Sequence, residues 1–182
     1  MIFTTALTLS LMAGFQQTEW GMSPIQVIHA QNIAQSNREW DAETQTLYVS
    51  DTVADFESAL LYEFIDSHLY KITVIFQRTH SNKNLFIDDY ARMGEKLQKV
   101  YGEKNIDVDW KNSLYHKTPE HYGMAIAVGH LTLRKTWHRG DTMINHVLAG
   151  DNMEITHGIV YTSKKFLLRK KSKEDVQLKE EL

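Results

Sequence analysis

The chain of 182 residues contains no cysteine, which excludes disulfides, thiolate metal sites and cysteine nucleophiles while leaving the redox compartment open. There are only two prolines, and each stands directly after a hydroxyl residue, in Ser23-Pro24 and Thr118-Pro119. No apolar run reaches the roughly 20 residues that a spanning helix needs. Basic charge is not in excess: 20 Lys and Arg against 23 Asp and Glu give a formal net charge of -3. No global positive field is present to hold nucleic acid or an anionic membrane. Catalytic signatures are missing as well, with no Gly-x-Ser-x-Gly elbow, no phosphate-cradling Gly-x-x-x-x-Gly-Lys-Ser/Thr and no Gly-x-Gly-x-x-Gly. With 42% apolar and 24% charged residues, the chain suits one domain with one well-buried core.

What is present begins with an uncharged, largely apolar run from Ile2 to Phe15. It has the length of a signal-peptide core, with Ala13 and Gly14 where cleavage could fall, although no basic residue precedes it. Residues 1–17 therefore read as a signal peptide or apolar leader, and the mature protein is expected in the periplasm or secreted if the leader is cut, and in the cytoplasm otherwise. Leu11-Met12-Ala13-Gly14 is also similar to the residues before the lipid-bearing Cys of bacterial lipoproteins, but Phe15 stands in that Cys position.

Ser23 is a good N-cap and Pro24 fits the first helical position, where a missing N–H costs nothing. Ile25, Ile28 and Ile33 then suggest the apolar stripe of a first helix, fading through Gln35 to Thr44. Leu47 to Val53 reads as a strand. Leu60, Tyr62 and Phe64, then Tyr70, Ile72, Val74 and Phe76, alternate with secondary positions around Asp66-Ser67-His68, the pattern of a β-hairpin.

From Asn84 the period returns to 3.6, with Phe86, Tyr90, Met93, Leu97 and Val100 on one face and Gly102 as the stop. Ile106, Val108 and Trp110 predict a short strand whose wet face is Asp107 and Asp109. Thr118-Pro119-Glu120 opens another helix, ending near Gly129. Strands follow at Leu131 to His138, Thr142 to Ala149 and Met153 to Thr162.

This order predicts an α+β fold, an antiparallel β-meander with helices packed on one face, compatible with two helix-plus-three-strand halves. Residues 18–163 form the single domain. Residues 164–182, basic from Lys164 to Lys173 and acidic from Glu174, form a charged C-terminal tail or helix, either solvated or offering a basic patch to an acidic partner or anionic lipid.

Gly21-Met22-Ser23, followed by Gln26-Val27, resembles the Gly-Met-Ser/Thr-x-x-Gln-Val helix start of the small outer-membrane-assembly lipoproteins of the BamE (SmpA/OmlA) family. That family shares a helix-plus-meander layout with β-lactamase inhibitory proteins. Its Leu-Gly-x-Pro continuation is replaced here by Ala30-Gln31-Asn32-Ile33-Ala34. The resemblance implies a non-catalytic envelope protein, without cofactor, that binds another envelope protein.

Two groups of residues are candidates for chemistry. A hairpin loop at Asp151-Asn152 would set His146 opposite His157 within an aliphatic face, where neutral imidazoles could form a satisfied structural pair, share a metal ion, or bond to each other and titrate near neutrality. The neighbouring strand would bring Lys135 or Arg134 beside them, a cation that opposes a metal. Such a metal would make the chain a metal-dependent hydrolase, the alternative to a binding protein. His116 and His121 are wrongly spaced around Glu120 for a zinc helix. Trp110, Tyr115, Tyr122 and Trp137 flank turns or helix starts, where a binding groove could form.

Overall fold

Three two-residue turns set the sheet. Ala54-Asp55, Asp66-Ser67 and Asn152-Met153 all have positive φ at both residues, the backbone whose twist matches that of a hairpin. The computed structural model describes residues 15–180, with side chains to residue 172. Leu11-Met12-Ala13-Gly14 and the rest of the apolar run before Phe15, read from the sequence as a leader, lie outside the described residues.

The chain runs α1 (Pro24–Ala30), β1 (Arg38–Asp41), β2 (Thr46–Val53), β3 (Phe56–Ile65) and β4 (His68–Phe76). It continues through α2 (Leu85–Tyr101), β5 (Asn105–Trp110) and α3 (Tyr122–Ala127) to β6 (Leu131–Arg139), β7 (Thr142–Asp151), β8 (Glu154–Ser163) and α4 (Lys164–Glu180). All eight strands form one antiparallel sheet in the order β1-β2-β3-β4-β8-β7-β6-β5. The described residues thus form a mixed α/β fold with four α-helices. Each half supplies four strands rather than three, and the halves join where β4 pairs with β8. The addition to the first half is β1, in a polar stretch with no alternation to reveal it; its pairing with β2 sets Trp40 opposite Leu47.

Alternation decides what is buried. Leu60, Tyr62 and Phe64 on β3, Ile72 and Val74 on β4, and Ile159 and Tyr161 on β8 share one side and form the main cluster with Trp137, Met93 and Leu97. Burying an aliphatic or aromatic side chain of this kind contributes roughly 1.5–3 kcal/mol. The first described residue also belongs to this core: Phe15 is buried, its ring 5.2 Å from that of Tyr161. A second cluster joins Phe86 and Tyr90 of α2, Ala125 and Ile126 of α3, and Leu131 and Leu148 of the sheet.

The first helix turns out differently from its stripe. Val27 is its buried residue, Ile25 is exposed, and Ile33 lies beyond its end. Its start is built from local bonds, since the Ser23 hydroxyl accepts from the Gln26 N–H while the Gln26 side chain accepts from the Ser23 N–H. That reciprocal pair is a capping box. Gly21 sits at φ +90°, where its N–H donates to the Leu69 carbonyl, and a Cβ there would lie 3.1 Å from the Phe166 ring. On α2, Val100 is exposed, and on β5 so are Ile106 and Val108, at 65% and 51%. These last two lie on an edge strand whose expected dry side nothing among the described residues covers. No helix among the described residues is long and apolar enough to cross a membrane.

Candidate functional site

The sheet brings His146 and His157 together, by a different register from the one the sequence suggests. The turn falls at Asn152-Met153, so Asp151 pairs with Glu154, His146 with Ile159, and Leu148 with His157. Docking of α3 supports this choice, because the Met153 N–H donates to the Ala127 carbonyl at 2.9 Å. The histidines are therefore diagonal neighbours on one face, with Nε2 atoms 2.8 Å apart. Both are buried, at 0% and 1% exposure.

Tyr90 of α2 stacks on His146 at 4.2 Å, and Phe76 lies 4.6 Å from His157. Lys135, paired with His146 across β6 and β7, sets its ammonium 4.3 Å over the Tyr90 ring, and a Cβ on Gly94 would lie 2.2 Å from its Nζ. Burial drives both imidazoles well below the ordinary histidine value; His157 and the charge of Lys135 depress His146 further, while at His157 Asp89 opposes the shift and Lys135 adds to it. Both rings are therefore neutral at pH 7, and neither titrates near neutrality. One must be the Nε2–H tautomer that donates, and the other the Nδ1–H tautomer that accepts. Their Nδ1 atoms have no hydrogen-bond partner among the described residues.

As a metal site the pair does not fit. Zinc takes three or four protein ligands, and among the described residues no three His, Asp or Glu side chains converge to hold an ion. What the pair offers instead is a polar link between β7 and β8 beneath α2.

A second constellation escaped the sequence reading. Asp89 occupies a core position of α2 with 2% of its side chain exposed. Its carboxylate accepts from His80 Nε2 at 2.7 Å and from Arg92, and Arg78 Nε stands 3.6 Å away. Burial alone would raise its pKa, but the bonds from His80 and Arg92, and their charge, hold it below the ordinary carboxylate value. A signal was available: Phe86, Asp89, Tyr90, Met93, Gly94 and Leu97 are the buried residues of α2, so an Asp stood inside the helix's apolar spacing.

This cluster backs a cleft of about 490 Å³ between the loop at 77–84, the start of α2 and the β7–β8 turn. Arg78, His80 and Lys83 line it on one side, with Glu154, Met153 and Ile155 across and Phe86 beneath.

The aromatic candidates divide. Trp110 stands edge-on to His116 and Tyr122 at 5.0 and 5.1 Å, while Tyr115 faces His121 and His130 at 6.0 and 5.9 Å. These three partly buried rings pack against the second cluster. Trp137 is elsewhere, fully buried against Tyr101, its indole N–H donating to the Gly102 carbonyl at 3.0 Å. Asp107 and Asp109 are exposed along β5, as a strand's wet face requires. Pro119–His121 is a single 3-10 turn leading into α3.

Compared with protein-family models, curated proteins and solved structures, the chain matches none. The functional reading rests on the geometry.

Proposed function

We propose that this is a non-enzymatic binding module of the bacterial envelope that holds another protein against the side of the sheet turned away from α1, α2 and α3. In this reading the three helices pack on the core side and leave the opposite side open. The observation that carries it is the composition of two cross-strand rows on that side, each followed across the six strands from β2 to β6. One runs Tyr48, Leu61, Thr73, Val160, Asn145, Thr136; the other runs Ser50, Ala59, Ile75, Gly158, Val147, Arg134.

Leu61, Ile75, Val160 and Val147 put an apolar, partly exposed centre in the middle of the sheet, with polar and charged residues toward both edges. A dry centre with a polar rim is the usual anatomy of a protein interface. The apolar leader and the resemblance of the Gly21-Met22-Ser23 helix start to an envelope family give the location and the class of partner.

The test is photo-crosslinking in the bacterium that encodes the protein, with benzoylphenylalanine placed in turn at Thr73, Val147 and Lys99. The first two lie on the open side, and the third on the exposed surface of α2. Discrete adducts with one envelope protein are expected from Thr73 and Val147 and none from Lys99. No adduct from either sheet position, or the same adduct from Lys99, overturns the reading.

A further inference from the structure

The cleft behind His80 is distinct from the open side of the sheet and carries its own chemistry. Its lining sets two permanent cations, Arg78 and Lys83, together with His80, against one carboxylate, Glu154. The buried carboxylate behind it is already engaged by His80 and Arg92. Arg78 is a further cation on that one carboxylate: its Nε forms a looser ion pair with Asp89 at 3.6 Å, and its guanidinium rests 5.0 Å over the Phe56 ring with 42% of the side chain exposed. Lys83 has an aromatic ring as its neighbour, with Nζ 5.9 Å over Phe86.

The imidazole of His80 is fixed in turn. Because a carboxylate only accepts, Nε2 must carry the proton that Asp89 receives, and the edge of the Phe86 ring meets the imidazole at 4.7 Å. Opposite these polar groups, Met153 and Ile155 offer an apolar wall. A volume near 490 Å³ falls in the range of small-molecule sites, roughly 300–1,000 Å³.

We propose that this cleft binds a small amphiphilic anion, a carboxylate or phosphate headgroup on an apolar body. Arg78 and Lys83 hold the headgroup, and Phe86, Met153 and Ile155 cover the body. Arginine suits the first task because its planar fork matches carboxylate and phosphate oxygens two at a time. Asp89 and His80 are positioning residues: the ionised Asp89 holds the His80 ring, and the stem of Arg78 beside it, at the cleft wall.

The test uses 8-anilinonaphthalene-1-sulfonate as the probe, with its uncharged counterpart N-phenyl-1-naphthylamine as the comparison. The folded protein and the variants Lys83→Met, Met153→Glu and Lys99→Met are titrated at pH 7, and circular dichroism checks that each variant keeps its fold. Saturable one-to-one binding of the sulfonate is expected. It should weaken about 5-fold in Lys83→Met and about 10-fold or more in Met153→Glu, which sets a like charge in the cleft, and stay unchanged in Lys99→Met. The uncharged probe should bind about 10-fold more weakly and ignore Lys83.

Octanoate and octyl phosphate are then added as competitors, and displacement by one or both identifies the headgroup. Absence of saturable binding, equal affinity for the two probes, indifference to both cleft variants, or equal displacement by 1-octanol overturns the proposal. Sulfonate binding to the open side of the sheet would be seen as indifference to the cleft variants, so this result and the crosslinking result fail separately.

Discussion

Asp89 and the two buried histidines are polar residues inside an apolar cluster, and each settles its charge differently. Asp89 stays ionised because His80 and Arg92 supply donors and charge that outweigh its burial. His146 and His157 have no counter-ion in hydrogen-bond contact, and burial leaves them neutral. Their folded-state pKa values lie below the ordinary 6.5, so on acidification the unfolded chain takes up protons first. Stability is then full above about pH 6.5 and falls as the pH drops toward the folded-state values, by at most about 1.4 kcal/mol per unit for each histidine. Asp89, also depressed, adds a second loss below its ordinary value of 3.8. Urea unfolding at pH 7, 6 and 5 should show this slope, and a double variant, His146→Leu with His157→Leu, should flatten it. A slope unchanged in that variant would show that the pair does not govern the acid sensitivity.

At the scale of elements, turns and close approaches do the selecting. Ser67 holds φ 61° in the β3–β4 turn, a conformation that costs an L-residue and suits glycine. Ser67→Gly makes the favoured Asp-Gly pair and leaves Asp66 to its ion pair with Arg169 at 3.1 Å. A gain of about 0.4–1 kcal/mol is expected in the urea midpoint, and a loss would mean that the turn holds no strain.

The start of α3 shows the opposite constraint. A Cβ on Gly123 would lie 2.4 Å from the backbone of Lys83 and Asn84. Asn84 bridges the two helices, accepting from the Gly123 N–H at 2.7 Å and donating to the Glu120 carbonyl at 2.7 Å. Gly123→Ala should therefore destabilise by about 1–3 kcal/mol, because backbone cannot give way as a flexible side chain can. A cost under about 0.5 kcal/mol, ordinary for a surface change, would refute that close packing.

For the whole molecule, the described segment before α1, from Phe15 onward, is part of the core rather than an appendage. Phe15 packs on Tyr161, the Thr18 hydroxyl donates to the Phe15 carbonyl at 2.6 Å, and the indole N–H of Trp20 donates to Thr142 at 2.8 Å. Removing the first of these by cleavage would cost about as much as a Phe→Ala change in a core, about 3–5 kcal/mol. A leader cut during export should thus be cut before Phe15, at Ala13 or Gly14, and not at Gln16 or Gln17. The intact mass of the protein from a periplasmic fraction checks this, and a mature chain starting at Gln16 or later would contradict it.

The sequence by itself determined the elements whose information is local. Period-two aromatics marked the β3–β4 hairpin, period 3.6 marked α2, and Ser23-Pro24 marked the start of α1, since each pattern reflects one element meeting one apolar surface. It also indicated that His146 and His157 share a face, because moving a two-residue turn by one position shifts the pairing by two and leaves the faces unchanged. Only the tertiary structure decided the rest. The short strand β1 exists because β2 offers it a partner. The β7–β8 register followed the docking of Met153 against α3, with the turn one residue beyond the loop that composition favoured and every pairing shifted by two. The Asp89 cluster needed Arg78 and His80 from a loop to meet a helix position that periodicity had marked as core. These depend on contacts between segments distant in the chain, or on which of two nearly equivalent turns is closed, and neither is written in a local pattern.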